Sequence, residues 1–374
     1  MLRVAIIANK VTPYRVPVFQ RMSRMSDVIL HAIFCTEREP NRLWDLPNLG
    51  FNHTFLRQRF ISLRGRYIHY NLDVLQSLQR FTPDVVVTAG FNPTHLYAFG
   101  YAKMKGLGHV PMTDGTDVSE KSLSTVHRSV RKFVYARSSA FVSASAGGQR
   151  LYGSYGIPSE RCFKSCLCID NEAFSPRKQQ VEKRFDFIFS GRIEQIKNPL
   201  FALGVAKETA KRLGRKTSIL FIGAGSLEEI VKRAAAKSAD LITAEFHGFA
   251  AQSELPTKYK SARIFLFPTQ WDPWGVVVNE ACASGLPIIT SPHGGIAGEL
   301  VRDRENGFIC ELDVMQWADR AATLLTQTAI WEGFSRRSLA LVSDYTYDNA
   351  AKGLAEACRY SVSENRTSMP RKLA

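Results

Sequence analysis

Short apolar runs alternate with amphipathic stretches over almost the whole of the 374 residues, and that alternation is what most narrows the fold. Runs that read as strands lie at Val4 to Ala8, Val28 to Phe34, Asp84 to Thr88, Val110 to Thr113, Ala140 to Ser143 and Phe163 to Cys168. A second series lies at Phe185 to Ser190, Ser218 to Ile222, Ile242 to Phe246, Ile264 to Phe267, Pro287 to Thr290 and Gly307 to Cys310. Helical patterns separate them, which is the rhythm of βαβ units with parallel strands. Between Phe34 and Asn71, Pro, Asn, Arg and aromatic residues mix without a period. That stretch is expected to be irregular apart from a strand at Asn52 to Leu56.

Asp170 to Arg184 carries Pro176, Arg177, Lys178, Gln179, Gln180 and Glu182 with little apolar content and reads as a linker. The expected class is therefore α/β, with two Rossmann-like domains facing a cleft: residues 1–170 and 185–345, joined by 171–184. A final helix at 346–360 has the first domain as its candidate partner, and the polar tail 361–374 has no reason to be ordered. The first apolar run ends at Asn9, far short of a signal-peptide core, and no stretch approaches the length of a membrane span. Cys35, Cys162, Cys166, Cys168, Cys282, Cys310 and Cys358 are an odd set without an export signal, which fits free thiols in a cytoplasm. The gaps in the Cys162, Cys166, Cys168 cluster make a poor zinc site, and no metal is expected.

Net charge is +15, and residues 1–170 hold 22 Lys and Arg against 11 Asp and Glu. The surplus gathers at Arg57, Arg59, Arg64 and Arg66 among Phe60, Tyr67 and Tyr70, and at Arg128, Arg131, Lys132 and Arg137 around Val130, Phe133 and Val134. An anionic membrane surface and plain solvation both account for such a face. Nucleic acid is set aside, because no helix-turn-helix, zinc-finger or RNA-binding signature accompanies the charge.

The chemistry concentrates in the second half. Asp272 and Glu280 stand eight positions apart, with Gly275 between them where a loop turns into a helix and Val276, Val277, Ala281 and Cys282 supplying a buried face. A helix start attracts phosphate, and flanking carboxylates can bind sugar and ribose hydroxyls. The bland reading makes Asp272 a cap and Glu280 a solvated side chain. Ser190-Gly191-Arg192 to Lys197 follows a strand and places two cations where ligands of open α/β sheets bind. Gly223 and Gly225 end another strand, permitting close approach of a ligand or a tight turn. Gly248 and Phe249 end the next, and Gly294, Gly295 and Glu299 follow later. In the first half Tyr14 and Arg15 leave the first strand, and Asp114 stands before Gly115.

Asp272, seven residues and Glu280 resemble the paired acidic signature of retaining glycosyltransferases with two Rossmann-like domains, glycosyltransferase family 4. Asp272 replaces the usual glutamate and is one methylene shorter. Gly191-Arg192, four residues and Lys197 resemble the basic motif that holds the departing diphosphate; Gly248 and Phe249 match a position beside the nucleotide base, and Gly294, Gly295 and Glu299 one near the donor. Pro13-Tyr14-Arg15 is similar to a subset of the family, although the paired glycines of that loop are absent. The family histidine against the donor sugar is missing as well. Asp114 either takes its place or caps the turn before Gly115. The resemblance covers roughly residues 1–360 and is specific from 190 to 300.

It implies the GT-B architecture, a nucleotide-diphosphate sugar as co-substrate without further cofactor or metal, and transfer with retention to a saccharide or lipid-linked acceptor in polysaccharide or glycolipid synthesis. Asp272, Arg192, Lys197 and Asp114 would serve catalysis. Glu280, Gly275, Val276, Gly223, Gly248, Phe249, Gly294, Gly295 and Glu299 would bind the donor, and Tyr14 and Arg15 the acceptor or diphosphate. The chain would then be cytoplasmic, at the inner face of the membrane where its basic face meets lipid. The rivals are a nucleotide-sugar epimerase on the same scaffold and a non-catalytic nucleotide-binding protein of the membrane surface. A dinucleotide oxidoreductase ranks last among the rivals, because no G-x-G-x-x-G stands after the first strand.

Overall fold

The computed structural model describes residues 1–39, 48–63, 66–177 and 181–368. Arg64, linker residues 178–180 and the tail beyond 368 lie outside them, as do residues 40–47 of the stretch expected to be irregular. The chain divides into unit 1, Met1–Leu167 with Tyr347–Ala374, and unit 2, Cys168–Thr346.

Unit 1 contains β1 (Leu2–Ala8), β2 (Val28–Phe34), β3 (His53–Phe55), β4 (Phe60–Leu63), β5 (Arg66–His69), β6 (Val85–Thr88), β7 (Gly108–Thr113), β8 (Phe141–Ser143) and β9 (Cys162–Lys164). Seven of them pair in parallel in the order β3-β2-β1-β6-β7-β8-β9. Val4 to Ile7 of central β1 are fully buried, as a strand covered on both faces must be. The last strand is shorter than the expected run to Cys168 and ends at Lys164.

β4 and β5 form a separate antiparallel hairpin inside the stretch expected to be irregular. Phe60 sits against Tyr67 and buried His69, with ring centroids 4.8 and 5.9 Å apart, while Ile61 and Leu63 face solvent. Apolar residues outside and a histidine inside invert the usual alternation, so no period was legible.

Unit 2 contains β10 (Phe185–Ser190), β11 (Thr217–Ile222), β12 (Ile242–Gly248), β13 (Ala262–Phe267), β14 (Ile288–Thr290) and β15 (Gly307–Ile309). They pair in parallel as β12-β11-β10-β13-β14-β15, a doubly wound order with its switch point between β10 and β13. Phe187, Phe189, Phe221, Ile264 and Leu266 build the core with Trp317. Each such side chain, fully withdrawn from water, contributes about 1.5–3 kcal/mol.

Two boundaries differ from expectation. The supposed linker opens with a helix, Asn171–Phe174, capped by Asp170, whose carboxylate accepts from Ala173 N at 3.3 Å. Phe174 is buried edge-on to Tyr259, and Asn171 donates to the carbonyls of Val342 and Tyr345. One aromatic residue and two bonds from the Asn171 side chain to backbone carbonyls thus anchor the start of a segment of largely polar composition. The final helix spans Tyr347–Ser368, beyond the expected end at 360. Ala351, Leu354, Cys358 and Ser361 are buried at helical spacing, Ser361 Oγ meets Ser139 Oγ at 2.9 Å, and Arg359 binds Asp27. A small buried hydroxyl extended the packed stripe past the apolar residues that marked it. No helix among the described residues is long and apolar enough to cross a membrane.

Candidate functional site

At the switch point of unit 2 the loops after β10 and β13 are laced together. Gln270 N and Thr269 Oγ1 both donate to Ile196 O, at 2.8 and 3.2 Å. That tie brings Lys197 Nζ into an ion pair with Asp272 Oδ2. The other carboxylate oxygen accepts from Trp274 N at 3.1 Å. Asp272 also joins the loop after β14, its N donating to His293 O at 3.2 Å and its carbonyl accepting from Gly295 N at 2.9 Å. A Cβ on Gly295 would stand 2.0 Å from Pro273 O, so backbone contact between these loops requires glycine there.

Gly275, at φ 101°, opens helix Val276–Ala283 without a side-chain cap and with no acid in the first turn. Its leading N–H groups, shortly after Asp272 in sequence, carry the positive end of the helix dipole. Val278 through Ala283 are buried, whereas Val276 and Val277 are only half so. Glu280 is 6% exposed. Burial pushes its carboxyl up to about 7, against the opposing pull of the Tyr259 hydroxyl beside it. The Tyr259 hydroxyl, itself buried, lies beside Glu280 and Ser190. Glu280 is therefore not the solvated helix residue of the bland reading.

Trp274 anchors the segment from below. Its Nε1 donates to Asn279 Oδ1 at 2.8 Å, and its ring lies 5.5 Å from that of Tyr345, whose hydroxyl donates to Glu299. Arg192 is exposed on the rim. Glu194, which the sequence did not single out, is held below the usual carboxylate range by the Ser226 hydroxyl and N–H. Gly223 answers a structural demand: a Cβ there would stand 2.0 Å from Gly191 O. Gly248 closes the same layer, its carbonyl accepting from Gly223 N at 2.7 Å, and Phe249 is exposed.

In unit 1, Arg15 is buried and gathers three loops. Nη1 donates to Ser165 O and Oγ at 3.1 and 3.2 Å, and Nη2 pairs with Asp114 Oδ1. Asp114 does not cap the turn, since Gly115 N donates to Thr113 Oγ1 and Thr116 forms a capping box with Ser119. Tyr14 is half-buried beside it in sequence. A second polar cluster, invisible to sequence spacing, lies past β1: Glu39 accepts from Lys10 and meets His69 Nε2 at 3.3 Å. The described residues hold no group of three or more His, Cys, Asp or Glu that could bind a metal ion.

A family model described as Glycosyl transferases group 1 matches residues 170–337. Sulfoquinovosyl transferase SQD2 of Arabidopsis thaliana is 25% identical over 267 residues, 67% of this chain and 52% of that protein. The amylovoran biosynthesis glycosyltransferase AmsK of Erwinia amylovora is 26% identical over 234 residues, 57% and 56% of the two chains. The chain spans about half the length of the curated relatives it matches. Anabaena Alr3699/HepE, solved in complex with UDP and glucose, superposes with a TM-score of 0.70 over 96% of this chain and 100% of its own, at 13% identity. The chain has the GT-B fold, and its residues 170–337 match the model of group 1 glycosyl transferases.

Proposed function

We propose that the chain transfers a sugar from a nucleotide-diphosphate donor held by unit 2 to a saccharide or lipid-linked acceptor, in polysaccharide or glycolipid synthesis. The observation that carries this reading is the Lys197–Asp272 pair, fixed by three loops directly before an uncapped helix start. When the bond from the anomeric carbon to the diphosphate oxygen breaks, negative charge grows on the diphosphate. Lys197, Arg192 and the first N–H groups of helix Val276–Ala283 are the groups that take it, and of the two cations Lys197 is fixed before the reaction begins. No metal is part of this scheme. Asp272 orients the donor sugar and Glu280 accepts from ribose hydroxyls as a carboxylate. For transfer with retention, the acceptor hydroxyl attacks the face the diphosphate leaves and gives its proton to a leaving phosphate oxygen. In unit 1, Tyr14 and Arg15 serve the acceptor.

The test is a melting panel of UDP, GDP, ADP, CDP and TDP on the full chain, with Lys197→Ala alongside, followed by donor turnover with and without acceptor. A ligand at about a hundred times its Kd stabilises the protein by roughly 2.7 kcal/mol. A rise for one nucleotide that is lost in the variant, with sugar appearing on an acceptor, is the expected result. No rise with any nucleotide overturns the reading, and an altered donor sugar without acceptor identifies an epimerase.

A further inference from the structure

The sheet of unit 1 has a switch point of its own. β2 and β6 lie on opposite sides of β1, so the winding reverses between β1 and β6, and open α/β sheets hold ligands beyond the carboxyl ends of such a strand pair. The residues that leave these two strands are polar. Asn9 and Lys10 follow β1, and Asn92 stands where the loop after β6 enters helix Pro93–Met104. Asn92 Nδ2 donates to Asn9 Oδ1 at 3.0 Å, and all three residues are half-buried.

A buried acid stands behind them. Lys10 Nζ binds Glu39 Oε2, and Glu39 Oε1 meets His69 Nε2 at 3.3 Å. Burial raises the Glu39 carboxyl, but His69 and Lys10 outweigh it and hold the group below the usual carboxylate range. His69 ends the β4–β5 hairpin, which Asn71 ties down: its Nδ2 donates to Cys35 O at 3.1 Å and its N–H to Thr94 Oγ1 at 2.7 Å. His69 is fully buried, and its Nδ1 has no partner among the described residues. A buried polar atom left open in this way is uncommon in a finished structural network.

The charges of this cluster exclude an anion. A phosphate drawn to Lys10 would meet the Glu39 carboxylate, which is buried and cannot swing into water. The nearby helix start gives little help, because Pro93 has no N–H and His95 N donates to Asn92 O at 2.9 Å. The Lys197–Asp272 pair differs, being followed by a helix that opens on Val276 and Val277, which keep their N–H groups. A hydroxyl suits Lys10 and Glu39 well. The ammonium has three donors and each carboxylate oxygen two lone pairs, so one hydroxyl can accept from Lys10 and donate to Glu39 while the carboxamides serve its neighbour.

We propose that the switch point of unit 1 binds an uncharged saccharide by its hydroxyls, through Lys10, Glu39, Asn9 and Asn92. That this sugar is the acceptor rests on the transferase reading; that it binds does not. The group recognised here carries neither phosphate nor carboxylate, although unit 1 as a whole holds 27 Lys and Arg against 13 Asp and Glu.

The experiment is saturation-transfer NMR on the full chain without nucleotide, using the methyl α-glycosides of glucose, galactose and mannose, with glucose 6-phosphate and glucuronate as charged counterparts. A neutral glycoside is expected to bind, and its affinity should fall roughly tenfold in E39Q and in K10M, where a hydrogen bond to a charged group is lost. N92A keeps the test open if the buried pair cannot be altered without misfolding, since the Asn92 side chain caps no backbone N–H; it should lose roughly fivefold. With a donor supplied, the KM of that glycoside as acceptor should rise in the same variants while the donor KM stays. Tighter binding of glucose 6-phosphate or glucuronate than of every neutral glycoside, equal binding in all three variants, or no glycoside bound by the parent overturns the proposal. So does binding that Asp272→Asn abolishes, which would put the sugar in unit 2. The nucleotide melting shift should be the same in E39Q, K10M and N92A, so its absence from the parent would count against the donor site and leave this one standing.

Discussion

Unit 2 holds 22 Lys and Arg against 21 Asp and Glu, whereas unit 1 holds 27 against 13, so 14 of the 15 net charges belong to one of two units with the same strand order at the centre. At the switch point of unit 2 a cation is matched where it stands, Lys197 by Asp272. Unit 1 also matches its buried ions, Arg15 by Asp114 and Lys10 by Glu39, although over its whole length its cations outnumber its acids by 14. Sheet topology decides where each unit can hold a ligand, and the placing of charge decides which kind. A paired cation suits a small anion that must later leave.

The contrast is broken most directly at Lys197. Lys197→Ala should lower kcat/KM for transfer by about a thousandfold, since a fixed donor to the leaving group is lost. A fall of only a few fold in initial rates would move the diphosphate site elsewhere. Next is Leu354→Ala in helix Tyr347–Ser368, where a buried leucine is truncated. About 3 kcal/mol should be lost, read as a lower urea midpoint. If the two units unfold in separate transitions, that of unit 1 alone should move.

Glu280→Gln sharpens the comparison through pH. The folded carboxyl sits near 7 against an ordinary 4.5, so the folded protein binds the extra proton. Its contribution is full below about 4.5 and is lost as pH rises to about 7. The variant should therefore match the parent at pH 4 and exceed it at pH 8 by on the order of 2 kcal/mol, while binding nucleotide more weakly. A parent whose Glu280 is ionised without cost would show no pH-dependent gain. The smallest effect is expected at Asp114→Asn, about 1 kcal/mol, because Arg15 keeps its bonds to Ser165 and the Asp114 side chain is partly in water.

Much of unit 2 was legible because its motifs are local: Asp272, Gly275 and Glu280 lie within one loop and one helix, and Arg192 and Lys197 within another loop. What the sequence could not carry is contact across loops. The Lys197–Asp272 pair spans seventy-five positions, Tyr259 reaches Glu280 from a different helix, and Gly223 is required by the close approach of Gly191. Unit 1 was harder for the same reason. Glu39 and His69 are thirty positions apart and join only when the β4–β5 hairpin folds, and the pairing of Arg15 with Asp114 spans ninety-nine. Apolar periodicity found the strands; it has no means of finding a buried serine such as Ser361, which extended the final helix beyond its expected end.

Helix Tyr347–Ser368 belongs to unit 1 although all of unit 2 lies between it and the rest of that unit along the chain. During synthesis on the ribosome, unit 2 is therefore complete before unit 1 receives the helix that covers Ser139 and Asp27. The nascent chain must carry an unfinished first unit for some 180 residues, roughly 10–40 seconds at ordinary elongation rates. That interval, and not the folded state, is when the apolar surface awaiting Leu354 and Cys358 is open to chaperones and to other nascent chains.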